Sequence, residues 1–145
     1  MSGVVVNLAG LLPARRRLLA LVSPTNLGQL REVVASEGES QIRRRISDEK
    51  TDPEGKAWPE WSPEYAAERA AKGGLLELEG HLRDSIAYEI NGDTILVGSN
   101  LVYAGVHNEG DDDMGIPERR YLGFSAENLD DIGEVIVDFW GRVLG

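Results

Sequence analysis

Three side chains of the types used in hydrolysis lie close together along the chain, namely His81, Asp84 and Ser85. A serine hydrolase needs its nucleophile, its base and the acid that orients the base to meet in space. On one extended segment, neighbouring side chains point to opposite faces and do not converge. The chain also lacks the Gly-x-Ser-x-Gly turn of the α/β-hydrolases. We therefore predict no catalytic residues and no enzyme activity.

A second group could bind a divalent metal, because His107, Glu109 and the run from Asp111 to Asp113 offer nitrogen and oxygen ligands. The run lacks the oxygen spacing and the closing glutamate of an EF-hand loop, which favours a solvated acidic loop. A metal-dependent hydrolase is a distant alternative. We interpret His81 and His107 as hydrogen-bonded structural residues at a turn and at a core edge. The glycines form neither a phosphate loop nor a dinucleotide fingerprint, so we predict no metal and no cofactor.

The chain is acidic, with a net charge of −10 from 25 acidic and 15 basic residues. Affinity for nucleic-acid phosphates comes from positive charge, so this balance argues against a protein that mainly binds DNA. Two basic clusters stand out, Arg15-Arg16-Arg17 and Arg43-Arg44-Arg45. We interpret them as solvated helix faces or as charges that contact the acidic surface of a neighbouring subunit. The alternative is a small DNA-associated or regulatory binding module that uses these arginine clusters.

An aromatic loop runs from Lys50 to Trp61 and holds Trp58 and Trp61. Pro59 and Pro63 favour extended backbone at the residues before them. Large rings on such a loop either pack on the chain's own core or bind a partner, because leaving them in water forfeits about 1.5–3 kcal/mol each. Both options stay open. The candidate interface residues are Trp58, Trp61, Tyr65, Arg43, Arg44, Arg119, Arg120 and Tyr121.

A length of 145 residues fits one domain over 1–145. The absence of cysteine excludes disulfides, thiolate metal sites and a cysteine nucleophile, and it fits a reducing compartment. We find neither a secretion signal nor a stretch of the ~20 apolar residues that a membrane span needs, so we expect a soluble protein made inside the cell, with no membrane partner.

The elements that must position these residues begin with a helical hairpin over 8–48. The leucine spacing predicts a helix from Leu8 to Val22, and Thr25 or Asn26 can cap a second helix that runs to about Asp48. The loop over 49–61 follows. Ser62 and Pro63 then form an N-cap and a first-turn proline, so we predict a short helix from Ser62 to Lys72.

The segment 62–124 combines this short helix with a sheet core. We expect extended segments at Leu75–Leu78 and Ser85–Ile90, and a hairpin turn at Asn91-Gly92-Asp93 that leads into a strand at Thr94–Gly98. Val102–Asn108 is either a short helix or a third strand.

The C-terminal segment predicts an amphipathic helix over 125–143. Ser125 can cap it with Asn128 at its third position. Its apolar face comprises Leu129, Ile132, Ile136, Phe139, Trp140 and Val143. The predicted fold class is α+β, a small antiparallel sheet flanked by helices.

Four blocks in order resemble the phage virion morphogenesis family, the tail completion proteins of Mu-like and related tailed bacteriophages. The blocks are Asp52-Pro53-Glu54-Gly55-Lys56-Ala57-Trp58, Gly80-His81-Leu82-Arg83-Asp84-Ser85-Ile86, Tyr103-Ala104 with His107-Asn108-Glu109-Gly110, and Ile116-Pro117-Glu118-Arg119-Arg120-Tyr121-Leu122-Gly123. The departures are modest. The family's first block usually opens with Pro-Asp-Gly, whereas this chain has Asp52-Pro53 in the reverse order and one further residue, Glu54, before Gly55. Glu79 replaces a threonine before Gly80, and Tyr121 replaces a phenylalanine.

This resemblance implies a non-enzymatic structural protein of the virion, at the neck or the head-proximal end of the tail and assembled in the host cytoplasm. It implies a tail completion or tail terminator role in tail assembly and head-tail joining. The implied partners are further copies in a ring, with sixfold symmetry suggested by the family's site, together with tail tube or head-tail connector proteins. We add the hypothesis that an acidic lumen lets DNA pass without specific binding.

Overall fold

The computed structural model describes residues 3–5, 11–69, 75–76 and 80–145. Within these ranges the chain forms six α-helices and a two-stranded antiparallel sheet. The predicted α+β class is confirmed, with a helical hairpin at the N-terminus and an amphipathic helix at the C-terminus. The single-domain organisation stays a prediction. In the described part, no helix is both long enough and apolar enough to cross a bilayer.

The N-terminal hairpin consists of α1 (Leu11–Leu21) and α2 (Pro24–Arg44). The predicted start at Leu8 lies outside the described residues. The cap of α2 is Ser23 rather than Thr25 or Asn26, since the Ser23 hydroxyl accepts a hydrogen bond from the Asn26 backbone at 3.2 Å. Proline fits the first helical position that follows because the missing N–H would have no partner there.

A π-helical turn (Arg45–Glu49) continues α2 and ends at Lys50, which has a left-handed backbone with a φ of 56°. The predicted limit at about Asp48 therefore holds. α3 (Pro63–Arg69) begins as expected at Ser62, whose hydroxyl accepts from the Tyr65 backbone at 3.3 Å. The predicted end of this helix at Lys72 lies outside the described residues.

The sheet is smaller than the sequence predicts. α4 (His81–Ser85) occupies the start of the predicted strand Ser85–Ile90, and β1 (Ala87–Asn91) begins two residues late. β2 (Thr94–Gly98) pairs with β1 across the predicted turn, with Asn91 opposite Thr94. Leu75 and Leu76 form a turn rather than a strand, and the rest of that predicted segment lies outside the described residues.

Two helices complete the described fold, α5 (Ala104–Glu109) and α6 (Ala126–Leu144). α5 resolves the choice at Val102–Asn108 in favour of a helix. α6 packs across α2, which also contacts the β1–β2 hairpin. Leu129 of α6 is largely exposed although its spacing places it on the apolar face, and Phe139 is buried.

A hydrophobic core lies between α2, the π-helical turn, α4, α5 and the loop segments that carry Trp58, Leu75 and Tyr121. Its buried members are Ile42, Ile46, Trp58, Leu75, Leu82, Ile86, Ala104 and Tyr121. Most of these residues come from short elements or loops. The loops therefore depend on specific hydrogen bonds to keep their side chains in the core.

Removing the cap of α6 should cost stability. The Ser125 hydroxyl accepts from the Asn128 backbone at 3.0 Å, and the Asn128 side chain accepts from the Ser125 backbone at 3.0 Å. We expect Ser125→Ala to lower the free energy of unfolding by about 1 kcal/mol, because the Asn128 backbone N–H loses its acceptor at the helix end. Ser40→Ala, at an exposed site in α2, is the matched control in urea unfolding. Equal midpoints for the two variants would contradict the prediction.

Candidate functional site

The first half of the aromatic loop is held by its own hydrogen bonds. Thr51 and Ala57 form an isolated β-bridge, and the Asp52 carboxylate accepts from the backbones of Glu54 and Lys56 at 3.0 and 2.9 Å. The Trp58 backbone donates to the Lys50 carbonyl at 3.0 Å. The loop is thus a short hairpin whose turn is capped by an aspartate.

Arg119 and Arg120 connect this loop to the body of the protein. The Trp58 indole Nε1 donates to the Arg120 carbonyl at 3.0 Å, and Arg119 Nε donates to the Pro59 carbonyl at 2.9 Å. At the surface, Arg120 donates to both carboxylate oxygens of Glu54 at 2.8 and 2.9 Å. The two arginines predicted as interface residues therefore hold the loop of their own chain in place.

Trp58 and Tyr121 are core residues, only 4% and 1% exposed. The Tyr121 hydroxyl donates to the Ala104 carbonyl at 2.8 Å, and burial raises the pKa of Tyr121 to about 12. The Asn108 side chain accepts from the Tyr121 backbone at 3.1 Å. Of the two options for Trp58, the structure shows the ring packed on its own chain.

The basic cluster at 43–45 is largely engaged within the chain. Arg43 donates to the Ile86 carbonyl from Nε and Nη2 and lies 3.0 Å from Glu39. Arg44 is half exposed and lies 3.9 Å from Glu49. Arg45 is buried, which corrects its interpretation as part of a solvated helix face.

Arg45 connects three separate segments of the fold. Its guanidinium donates to the carbonyls of Tyr121 and Gly123 at 3.0 and 2.6 Å and to the Asn128 side chain at 2.6 Å. Burial lowers the pKa of Arg45, an effect that nearby Glu49 opposes. Gln41 extends the network by donating to the Asn128 carbonyl at 3.0 Å. The network connects α2 to the start of α6 and to the loop that precedes it.

An open groove lies between the second half of the aromatic loop, α3, α4, α5 and the segment 112–119. Its volume is about 1120 Å³. We call it the aromatic groove. Its lining residues are Glu60, Trp61, Ser62, Tyr65, Leu76, His81, Leu82, Tyr103, His107, Asp112, Met114, Gly115, Ile116, Pro117 and Arg119. Three of the predicted interface residues line this groove, namely Trp61, Tyr65 and the buried Arg119.

The rings of the groove form two edge-to-face pairs. Trp61 contacts Tyr65 with ring centroids 5.7 Å apart, and Tyr103 contacts His107 at the same distance. Tyr65 and Tyr103 are more than two fifths exposed. Aromatic rings with exposed edges are frequent anchors of protein interfaces. Sequence reasoning singled out Trp61 and Tyr65 but missed Tyr103, although its spacing of four from His107 predicts contact on a helix.

His107 differs from the expected hydrogen-bonded histidine. Its Nδ1 is buried and has no hydrogen-bond partner among the described residues. Burial lowers the pKa of His107, and the positive charge of Arg119 lowers it further. His107 is therefore neutral at pH 7 and occupies the groove wall as an uncharged ring.

The residues considered for catalysis or metal binding do not converge. The Ser85 hydroxyl donates to the Leu82 carbonyl and shares a 2.6 Å hydrogen bond with Ser99, not with His81. His81, Asp84 and Ser85 lie on the helical turn α4 rather than on an extended segment. Across residues 3–5, 11–69, 75–76 and 80–145, no three His, Cys, Asp or Glu side chains are grouped to hold a metal.

The low pKa of His107 predicts an acid-sensitive fold. Below the unfolded pKa of about 6.5, the unfolded chain takes up a proton at this residue that the folded chain excludes. The contribution of His107 to stability should therefore be constant above that pH and fall as the pH drops toward the folded pKa. We expect His107→Gln to flatten the decrease in urea midpoint between pH 7 and pH 5. A midpoint in the native chain that is unchanged over this range would contradict the prediction.

The described residues form an α+β protein with an open groove lined by aromatic rings. Comparison with known proteins identifies its class. The chain belongs to the phage virion morphogenesis family, whose model matches residues 6–139. It is therefore a phage structural or assembly protein.

One curated relative is named "Putative capsid assembly protein G", from Escherichia phage Mu. The two chains are 34% identical over 96 residues, which cover 59% of this chain and 62% of the relative. This chain thus spans less than two thirds of the length of that relative. No solved structure matches the chain.

Proposed function

We propose that this chain is a tail completion or tail terminator protein that forms a ring at the neck or head-proximal end of a phage tail. The family match over residues 6–139 carries the proposal. The capsid assembly name of the Mu relative supports a role in building the virion. In this proposal the protein is not an enzyme. Its partners are further copies of itself, which bind through complementary surfaces, and the tail tube or connector proteins.

The aromatic groove supplies the surface that such a role needs. Trp61 and Tyr65 line the groove. The Ser62 hydroxyl caps the helix that carries Tyr65, and Arg119 donates to the Pro59 carbonyl two residues before Trp61. Burying exposed rings of this kind in an interface contributes the largest part of many binding energies. Because Trp58 belongs to the core, the candidate aromatic contacts to a partner in this region are the half-buried Trp61 of the loop and the exposed Tyr65 of α3.

The DNA-binding alternative has weaker support. Arg43 and Arg45 donate to main-chain carbonyls of their own chain, so this basic cluster has little free charge for phosphates. Arg15, Arg16 and Arg17 are exposed. Phosphate binding through them would weaken steeply with added salt, whereas an apolar ring interface would not.

We expect the variant Trp61→Ala/Tyr65→Ala to weaken self-association by about tenfold or more, because it removes two adjacent aromatic anchors. Light scattering over a concentration series measures the effect, and circular dichroism checks that the fold is retained. Phe124→Ala removes a similarly exposed ring outside the aromatic groove and serves as the control. Equal association of the two variants would exclude the groove as the ring interface.

The biological role is tested with a phage from which the coding sequence is deleted. Electron microscopy distinguishes the two forms of the proposal: overlong tails indicate a terminator, and normal tails that fail to join heads indicate a completion protein. Normal, joined and infectious virions would refute both.

A further inference from the structure

α1 presents an apolar face that nothing in the described part of the chain covers. Leu18, Leu19 and Val22 are 64%, 55% and 62% exposed. Together with Arg15 they follow a spacing of three and four residues, which places them on one side of the helix. An amphipathic helix whose apolar side remains in water gains stability when that side docks on a complementary surface.

The same helix carries a concentrated positive charge. Arg15, Arg16 and Arg17 are exposed, and the structure gives them no ion pair with any described residue. The complete chain has a net charge of −10. α1 is thus a basic, partly apolar helix on an acidic protein, and it suits an acidic, apolar receptor.

The aromatic groove has these receptor properties. Glu60 and Asp112 line it, Asp113 is exposed beside it, and Met114 offers a 70% exposed apolar side chain. Two turns of helix, about 10 Å across and about 11 Å long, enclose roughly 860 Å³. The open groove, of about 1120 Å³, has a volume of the same order.

The helix and the groove occupy different parts of one subunit. α1 packs against α2 and α6, and none of the residues that line the groove belongs to α1, α2 or α6. Two different surfaces that fit each other produce a head-to-tail contact, which closes into a ring when the rotation allows it.

We infer that α1 of one copy docks in the aromatic groove of the next copy, with its leucines against the rings, and with Arg15 on the same face and Arg16 at its side against Glu60 and Asp112. This inference rests on the proposed ring assembly and specifies the two surfaces that form it. The charge pairs fix orientation, while the apolar contacts supply most of the affinity.

Cysteine cross-linking tests the contact directly, because the native chain has no cysteine. Tagged Leu18→Cys protein is mixed with Met114→Cys protein at the concentration used for light scattering and oxidised. We expect a mixed disulfide dimer. Leu96→Cys, on β2 and 66% exposed, is the matched control for Met114→Cys and should give little product. Equal yields with the two partners, or no mixed dimer, would overturn the inference.

Charge reversal provides a second test. Adding Arg15→Glu/Arg16→Glu to the Leu18→Cys chain should lower the cross-linking yield about tenfold, and Glu60→Arg/Asp112→Arg in the Met114→Cys partner should restore it. Failure of the restoration would overturn the pairing. Rings that form without the cross-link would refute this inference and keep the proposed function. A specific cross-link, combined with normal virions from the deletion phage, would keep the contact and refute the proposed function.

Discussion

Replacing Arg45 with methionine is expected to lower the free energy of unfolding by about 3–5 kcal/mol. Methionine fills much of the space but donates no hydrogen bond. The carbonyls of Tyr121 and Gly123 then lose their side-chain donor, and the side-chain oxygen of Asn128 keeps only the hydrogen bond from the Ser125 backbone. Each buried group left without a partner costs about 1–3 kcal/mol, which exceeds the gain from no longer burying a charge.

The neighbouring residue supplies the control. Arg44→Met alters a half-exposed side chain with one long ion contact and should change stability by about 0.5 kcal/mol or less. Arg45→Lys should also be strongly destabilising, because a single ammonium group does not have the planar geometry that reaches all three acceptors. Guanidinium chloride unfolding measures all three variants. If Arg45→Met were as stable as Arg44→Met, the network would not be the main connection between α2 and α6.

Trp58→Ala is expected to cost about 3–5 kcal/mol, since it removes a nearly fully buried ring from the centre of the core. The loss also frees the Arg120 carbonyl from its indole donor. Loosening of the aromatic loop should follow. For this reason the effect of Trp58→Ala on assembly reports unfolding rather than a lost contact between subunits.

Two variants separate the contributions to this effect. Trp58→Phe keeps most of the ring but removes the donor and should cost about 1–3 kcal/mol. Trp61→Ala changes a half-buried ring in the groove and should reduce stability less than Trp58→Ala while reducing association more. If Trp61→Ala lowered the free energy of unfolding more than Trp58→Ala in chemical unfolding, the assignment of Trp58 to the core would be contradicted.

Local chemistry made several elements predictable. Asn91-Gly92-Asp93 identifies the hairpin because the turn itself demands these residue types, and β2 has the predicted bounds. Ser125 and Asn128 identify the start of α6 because both partners of the capping box lie three residues apart. α4 was not predicted: His81 to Ser85 was treated as an extended segment, and the predicted strand began at Ser85, because a five-residue helix is too short to show periodicity.

The interior of the fold was less predictable because it depends on distant partners. The acceptors of Arg45 lie 76 to 83 residues further along the chain, so its place in a run of arginines gave no sign of burial. Gly123 illustrates the same point. Its φ is 127°, and an added Cβ would lie 2.7 Å from Pro53 Cγ, a close approach that only the folded chain reveals. In the candidate site, Trp61 and Tyr65 were identifiable from the loop, whereas Tyr103 and Met114 were not.

The turn capped by Asp52 has a thermodynamic consequence for recognition. Its hydrogen bonds to Glu54 and Lys56, with the bridge between Thr51 and Ala57, fix the backbone that leads to Trp61 before any partner arrives. Ordering a flexible side chain at an interface costs about 0.5–1.5 kcal/mol, and ordering backbone adds to that. Here the entropy of that backbone is lost during folding of the subunit. The loop is preorganised, so more of the energy of each aromatic contact remains available to hold neighbouring molecules together.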